Sequence, residues 1–177
     1  MGMDSYIYTS SKENFEKYNR QKLKVKELHD KGTNFIDSLA NKYDIKDAWT
    51  REILGEKCTE EEIKLVDSYI DEWQNADNAL YDSREGIFTK EFYWRKPYGL
   101  HQFITQKFLN VGEDDNCVHI PLSKENIETI INELKTNPSF FNCNMWDSDD
   151  TEYAIKIFTR LLNEYSDDVV ITYYSWY

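Results

Sequence analysis

Val169-Val170-Ile171-Thr172-Tyr173-Tyr174-Ser175-Trp176 is the strongest strand in the chain. β-Branched and aromatic side chains fit a pleated, half-buried surface. Alternation places Ile171, Tyr173 and Ser175 on one side and Thr172, Tyr174 and Trp176 on the other. One strand alone is not stable in water, so this one needs neighbours. Two segments qualify: Tyr6-Ile7-Tyr8-Thr9, and Cys117-Val118-His119-Ile120-Pro121 with the proline at its end. The two ends of the sequence are therefore expected to meet in one small, mostly antiparallel sheet built from N-terminal, central and C-terminal strands.

Most of what lies between is helical. Ser10-Ser11-Lys12-Glu13 sets a Ser three residues before a Glu, the pattern of a capping box, and predicts a helix from about Ser11 towards Tyr43. Phe15, Tyr18, Val25, Leu28, Phe35, Ile36 and Leu39 give it an interrupted apolar stripe, with Gly32 a place to bend or split. A short helix over 45–54 is expected to carry Trp49 and Ile53 and to close at Gly55. Thr59-Glu60-Glu61-Glu62 is a second capping box, and its three acids suit the positive end of a helix dipole. Ile63, Val66, Ile70 and Trp73 follow at helical spacing, whereas residues 75–86 are polar and read as a loop, with Ala79, Leu80 and Tyr81 able to prolong the helix. Residues 88–109 are the most aromatic; Leu100, Phe103, Ile104 and Phe108 fit one helix face, with Pro97 at its start or at a kink. Ser123 caps a helix with Ile127, Ile130, Ile131 and Leu134 at i, i+3, i+4 and i+7, ended by Asn137-Pro138. Asp149 and Glu152 frame a last helix whose buried face is Ala154, Ile157, Phe158, Leu161, Leu162 and Tyr165. Few strands among many helices give an α+β class: a small sheet covered by helices.

The 177 residues fit a single domain, and 40% hydrophobic with 15% aromatic residues suffices for a core without disulfides or metals. Against 33 acidic residues stand 21 basic ones, a formal net charge of −12. That field repels a free duplex unless a local basic patch defeats it, and it permits a partner with a basic surface. The densest basic run, Arg20, Lys22, Lys24 and Lys26, alternates with apolar residues on a helix and reads as a solvated face. No direct nucleic-acid binding is expected. Cys58, Cys117 and Cys143 are too widely spaced for a zinc site and read as reduced thiols. No apolar run is long enough to span a bilayer, and Met1-Gly2-Met3-Asp4-Ser5-Tyr6 has no secretion pattern, so a cytoplasmic location without membrane contact is expected. Six glycines form neither a P-loop nor a dinucleotide fingerprint, and no Gly-x-Ser-x-Gly is present; no cofactor is expected.

Several segments carry a resemblance. They are Gly2-Met3-Asp4-Ser5-Tyr6, then Tyr93-Trp94-Arg95-Lys96 with His101 and Phe103, then Asp114-Asp115-Asn116-Cys117 leading to Ser123-Lys124-Glu125, and Tyr173-Tyr174-Ser175-Trp176. Together they resemble a family of uncharacterised phage and prophage proteins. Its members share a Gly-x-Asp-x-Tyr start, a Tyr-Trp-Arg-Lys…His element and a Tyr-x-Ser-Trp C-terminal strand. The likeness covers residues 91–177 and the first ten. It leaves out residues 12–86, which are expected to be a helical insert or subdomain, and Pro97-Tyr98 stands where the family has Ala-Asn. The resemblance implies a setting, not a reaction. Small accessory phage proteins often bind and disable a host protein, defence nucleases included.

Two readings of the candidate residues stand side by side. Tyr93, Trp94, Arg95 and His101 can form a site, with Arg95 clamping a phosphate or carboxylate and His101 moving a proton near neutral pH, oriented by Asp114 and Asp115. In the plainer reading Trp94 and Phe103 pack, Arg95 pairs with an acid and His101 makes one satisfied hydrogen bond. Asp114-Asp115 with His119, and Asp147, Asp149 and Asp150, suggest a metal, but a solvated turn and helix capping explain them better. Tyr174 and Trp176 can be interface anchors or simply alternating strand residues. The expectation drawn is a non-enzymatic, phage-type accessory protein that binds a host or defence protein with a basic surface, such as a CRISPR effector. The rival is a small enzyme or ligand-binding domain with a pocket around Arg95 and His101. A self-associating protein, such as a homodimer, is a third option.

Overall fold

The computed structural model describes residues 3–46, 51–95, 98–109, 116–137 and 148–177. In chain order the elements are β1 (Asp4–Ser11), α1 (Lys12–Tyr43), α2 (Arg51–Lys57), α3 (Glu60–Ile87), β2 (Thr89–Arg95), α4 (Tyr98–Phe108), β3 (His119–Leu122), α5 (Lys124–Thr136), α6 (Ser148–Asn163) and β4 (Val169–Trp176). The fold is α+β. Its four strands form one antiparallel sheet in the order β2-β1-β4-β3. No helix among the described residues is long and apolar enough to cross a membrane.

The two ends of the sequence supply the central strands. β1 and β4 pair over their full length, from Asp4 opposite Trp176 to Ser11 opposite Val169. The period of two then sorts the side chains: Ile171, Tyr173 and Ser175 are buried on the inner face, at 2%, 0% and 1% exposure. Onto that face pack Leu100 and Ile104 of α4, Ile127, Ile130, Ile131 and Leu134 of α5, and Ala154, Ile157, Phe158 and Leu161 of α6. β3 is a sheet edge, where Pro121 costs no ladder hydrogen bond that a central strand would need.

The sequence offered β4, β1 and β3 as strands but not β2, the other edge. Its alternation is masked by a bulge: Ile7 faces Phe92 while Tyr8 faces Lys90, so Glu91 is the extra residue. The Glu91 carboxylate accepts from the Thr9 hydroxyl at 2.7 Å and from Arg160 Nη2 at 2.8 Å.

The described chain divides into two compact units, Met1–Phe15 with Ile87–Tyr177, and Glu16–Gly86. In sequence the second unit is the connection between β1 and β2. Within it α1 and α3 run antiparallel: Gln21 meets Ser83, His29 meets Trp73, Phe35 meets Tyr69, and Lys42 meets Glu62. Leu39, Leu54, Ile63 and Val66 are the buried centre of this unit.

Local expectations are corrected in four places. The first helix is capped by Ser11, whose hydroxyl accepts from Asn14 N at 3.2 Å, in place of a Ser10–Glu13 box. Gly32 does not split α1, which continues to Tyr43. The short helix starts later than residue 45 and contains Gly55 instead of ending there; Trp49 lies outside the described residues. Residues 75–86 are not a loop but the last turns of α3, because a helix that buries a single stripe stays polar on its remaining faces. The Thr59–Glu62 and Ser123 caps form as expected: Thr59 N donates to Glu62 Oε2 at 2.8 Å, and Asn126 N donates to Ser123 Oγ at 3.2 Å.

Candidate binding site

Three stretches distant in sequence meet at the end of the sheet where β1 begins and β2 and β4 finish. Asp4 is opposite Arg95 on one side and Trp176 on the other. The inner face there carries a polar chain. Ser5 Oγ and Tyr173 Oη share a hydrogen bond at 2.8 Å, and Tyr173 Oη meets His101 Nδ1 at 3.2 Å. All three residues are buried, so the hydrogen bonds offset the loss of water around their polar atoms. His101 also meets the Tyr177 ring edge-on, with centroids 5.7 Å apart.

Tyr177 is held from the β3 side. Asn116 Nδ2 donates to Tyr177 O at 3.2 Å, and Tyr177 N donates to Asn116 Oδ1 at 3.1 Å. Cys117 N donates to Ser175 O at 2.8 Å. The side-chain amide of Asn116 thus extends the strand pairing beyond β4. Met3, Tyr98, His101 and Tyr177 line a cavity of about 430 Å³.

The outer face of the sheet is aromatic. Tyr6 packs against Tyr93, Tyr8 and Tyr174 with ring centroids 5.1, 5.7 and 6.1 Å apart. On the β3 side His119 stacks on Phe88 at 3.8 Å, and its Nδ1 meets Thr172 Oγ1 at 2.9 Å, which buries that hydroxyl. At the near end Tyr93 Oη donates to Asp4 Oδ1 at 3.0 Å. Burial, and then this hydrogen bond to Asp4, push the Tyr93 phenol pKa up; burial and the Asp4 charge do the same for Tyr6. Both phenols stay neutral through the physiological range.

Exposure concentrates at that near end. In the first unit the exposed large apolar side chains among the described residues are Tyr93, Tyr98, Tyr153, Trp176 and Tyr177. All but Tyr153 lie there, and Trp176 is 55% exposed.

The candidate residues from the sequence fall into three groups. Tyr93, Arg95, His101, Tyr174 and Trp176 are gathered at or near this end of the sheet. Trp94 points the other way: it is 6% exposed and packs on Phe92 and Phe158. Asp114 and Asp115 lie outside the described residues, as does Asp147. His101 lines the cavity, while Arg95 is exposed and is not among the described residues that line it. Met3, Tyr6 and Tyr98 join the site without having been singled out. Their only signal was register: once Asp4 is placed opposite Arg95 and Trp176, residues 3 and 6 follow. Among the described residues no three His, Cys, Asp or Glu side chains are grouped to hold a metal ion.

The arrangement presents aromatic faces and hydroxyls around one buried imidazole, which suits binding by stacking and desolvation. No protein-family profile, curated protein or solved structure matches the chain.

Proposed function

We propose that this protein works by binding another protein through the sheet end formed by Tyr93, Tyr98, Trp176 and Tyr177, and that the partner presents a basic surface. The observation that carries this reading is the concentration of exposed tyrosine and tryptophan at one end of the sheet in a chain of net charge −12. Tyrosine and tryptophan give large, stiff contact area with a polar tip, the pattern of interface anchors. An aromatic sheet face also suits stacked nucleobases. The net charge of −12 speaks against them, because nucleic-acid affinity rests on neutralising phosphates.

The family resemblance gives the partner a setting: a phage-type accessory protein in the host cytoplasm that blocks a defence nuclease, such as a CRISPR effector. Such an effector carries a positive nucleic-acid channel, which an acidic protein complements. The test is phage plating on a panel of hosts, each carrying one defence system, with and without this protein. Wild type should restore plating in one host of the panel, and Trp176→Ala, folded as wild type, should lose that restoration. Restoration in no host, or full restoration by Trp176→Ala, would count against the reading.

A further inference from the structure

The cavity lined by Met3, Tyr98, His101 and Tyr177 has a chemistry of its own. Its volume, about 430 Å³, is in the range of small-ligand and side-chain pockets. Three of the four lining residues are aromatic rings and the fourth is a thioether. Among the described lining residues no side chain is a carboxylate, an ammonium or a guanidinium. The imidazole does not swing freely, because its Nδ1 is tied to Tyr173 Oη, and Tyr173 Oη is tied to Ser5. The Tyr177 backbone is fixed by the Asn116 amide on both its N–H and its carbonyl. These walls are therefore set in place before anything binds.

A rigid, largely aromatic set of walls on an acidic molecule favours a weakly hydrated organic cation. Ring faces attract a cation through their quadrupole, and the negative field of the whole chain concentrates cations near the mouth. Guanidinium fits these walls better than ammonium: it is planar, stacks on aromatic faces and sheds water more readily. The rim points to a side chain and not to a free solute. Tyr98 and Tyr177 are 50% and 45% exposed at the cavity, an aromatic area larger than a small cation covers.

We infer that this cavity takes an arginine side chain of the partner, held between Tyr98, Tyr177 and His101. The inference rests on the protein-binding reading above and names its anchor.

The test uses the full chain with a ¹³C-labelled methionine methyl at Met3 as reporter. Three probes are titrated at low salt: a Gly/Ser nonapeptide with one central arginine, the same peptide with citrulline, and tetramethylammonium. The arginine peptide should move the Met3 methyl resonance saturably. Citrulline, nearly the same shape but uncharged, should bind about tenfold or more weakly. Tyr98→Ala should weaken the arginine peptide about tenfold, and Tyr98→Phe, which keeps the ring, should retain most of the binding. Equal binding of arginine and citrulline, no shift with any probe, or undiminished binding by Tyr98→Ala would overturn the inference. Tetramethylammonium binding as tightly as the arginine peptide would overturn it in favour of a free small cation. Plating separates this inference from the function it rests on. If Trp176→Ala loses protection and Tyr98→Ala keeps it, the anchor is wrong and the interface stands. If arginine binds but no host is protected, the reverse holds.

Discussion

Tyr173 ties the sheet to the candidate site through one hydroxyl. It lies fully buried at the centre of the inner face and touches Ser5 on β1 and His101 on α4. Tyr173→Phe keeps the ring and removes both contacts, leaving two buried polar partners to find others. The expected cost is about 1–3 kcal/mol in urea unfolding, with a changed His101 ring resonance. Trp94 belongs to another class. It is buried against Phe92 and Phe158, so Trp94→Ala should cost about 3–5 kcal/mol, with loss of plating restoration only in proportion to lost fold. In the sequence these two were hard to tell apart, because Tyr93-Trp94-Arg95 carries no mark of which face each residue takes. The strand register supplies that mark: Trp94 is paired with inward Ser5, and Tyr93 with outward Tyr6.

The elements were legible where a local signal is strong. β4, α5 and α6 follow from β-branched runs or i, i+3, i+4 spacing, and the Thr59 and Ser123 caps from hydroxyl placement. β2 was not legible, since the Glu91 bulge breaks its period of two and its outer edge is unpaired within the sheet. The far turns of α3 were missed for a different reason: Asn75, Asp77, Asn78 and Asp82 suggest a loop, and only pairing with α1 gives them a helix. Two substitutions test the helical unit. A Cβ on Gly32 would meet Tyr69 Cβ at 3.5 Å, ordinary contact, so Gly32→Ala should raise stability by about 0.5–1 kcal/mol in thermal or urea unfolding. Glu62 accepts from Lys42 Nζ, Thr59 N and Tyr43 Oη. The Lys42 hydrogen bond first, then those of Thr59 and Tyr43, lower its pKa from 4.5 to about 2. A lowered carboxyl pKa means that its stabilisation is complete above the ordinary glutamate value and is lost as pH falls towards about 2. Unfolding curves taken across that window should flatten with Glu62→Gln.

At the scale of the molecule, the two hydrophobic centres share no residue: one lies under the sheet, the other around Leu39, Leu54, Ile63 and Val66. Replacing Glu16–Gly86 by a short Gly/Ser connection should therefore leave a protein that unfolds cooperatively and keeps the near-ultraviolet signal of Trp94. Loss of both would mean that the sheet unit depends on the helical one. The net charge of −12 belongs to this scale as well: association with a basic partner should weaken as salt rises, while folding changes little. Under the proposed function, partner contact occurs at the aromatic end of the sheet. Photo-crosslinking reads that contact directly, with benzoylphenylalanine placed at position 98, 176 or 65 in a host whose defence the protein blocks. Positions 98 and 176 should each give one cross-linked species, joined through a Lys/Arg-rich peptide of the same host protein, and position 65 on α3 should give none. Cross-links at position 65 with none at 98 or 176 would contradict it.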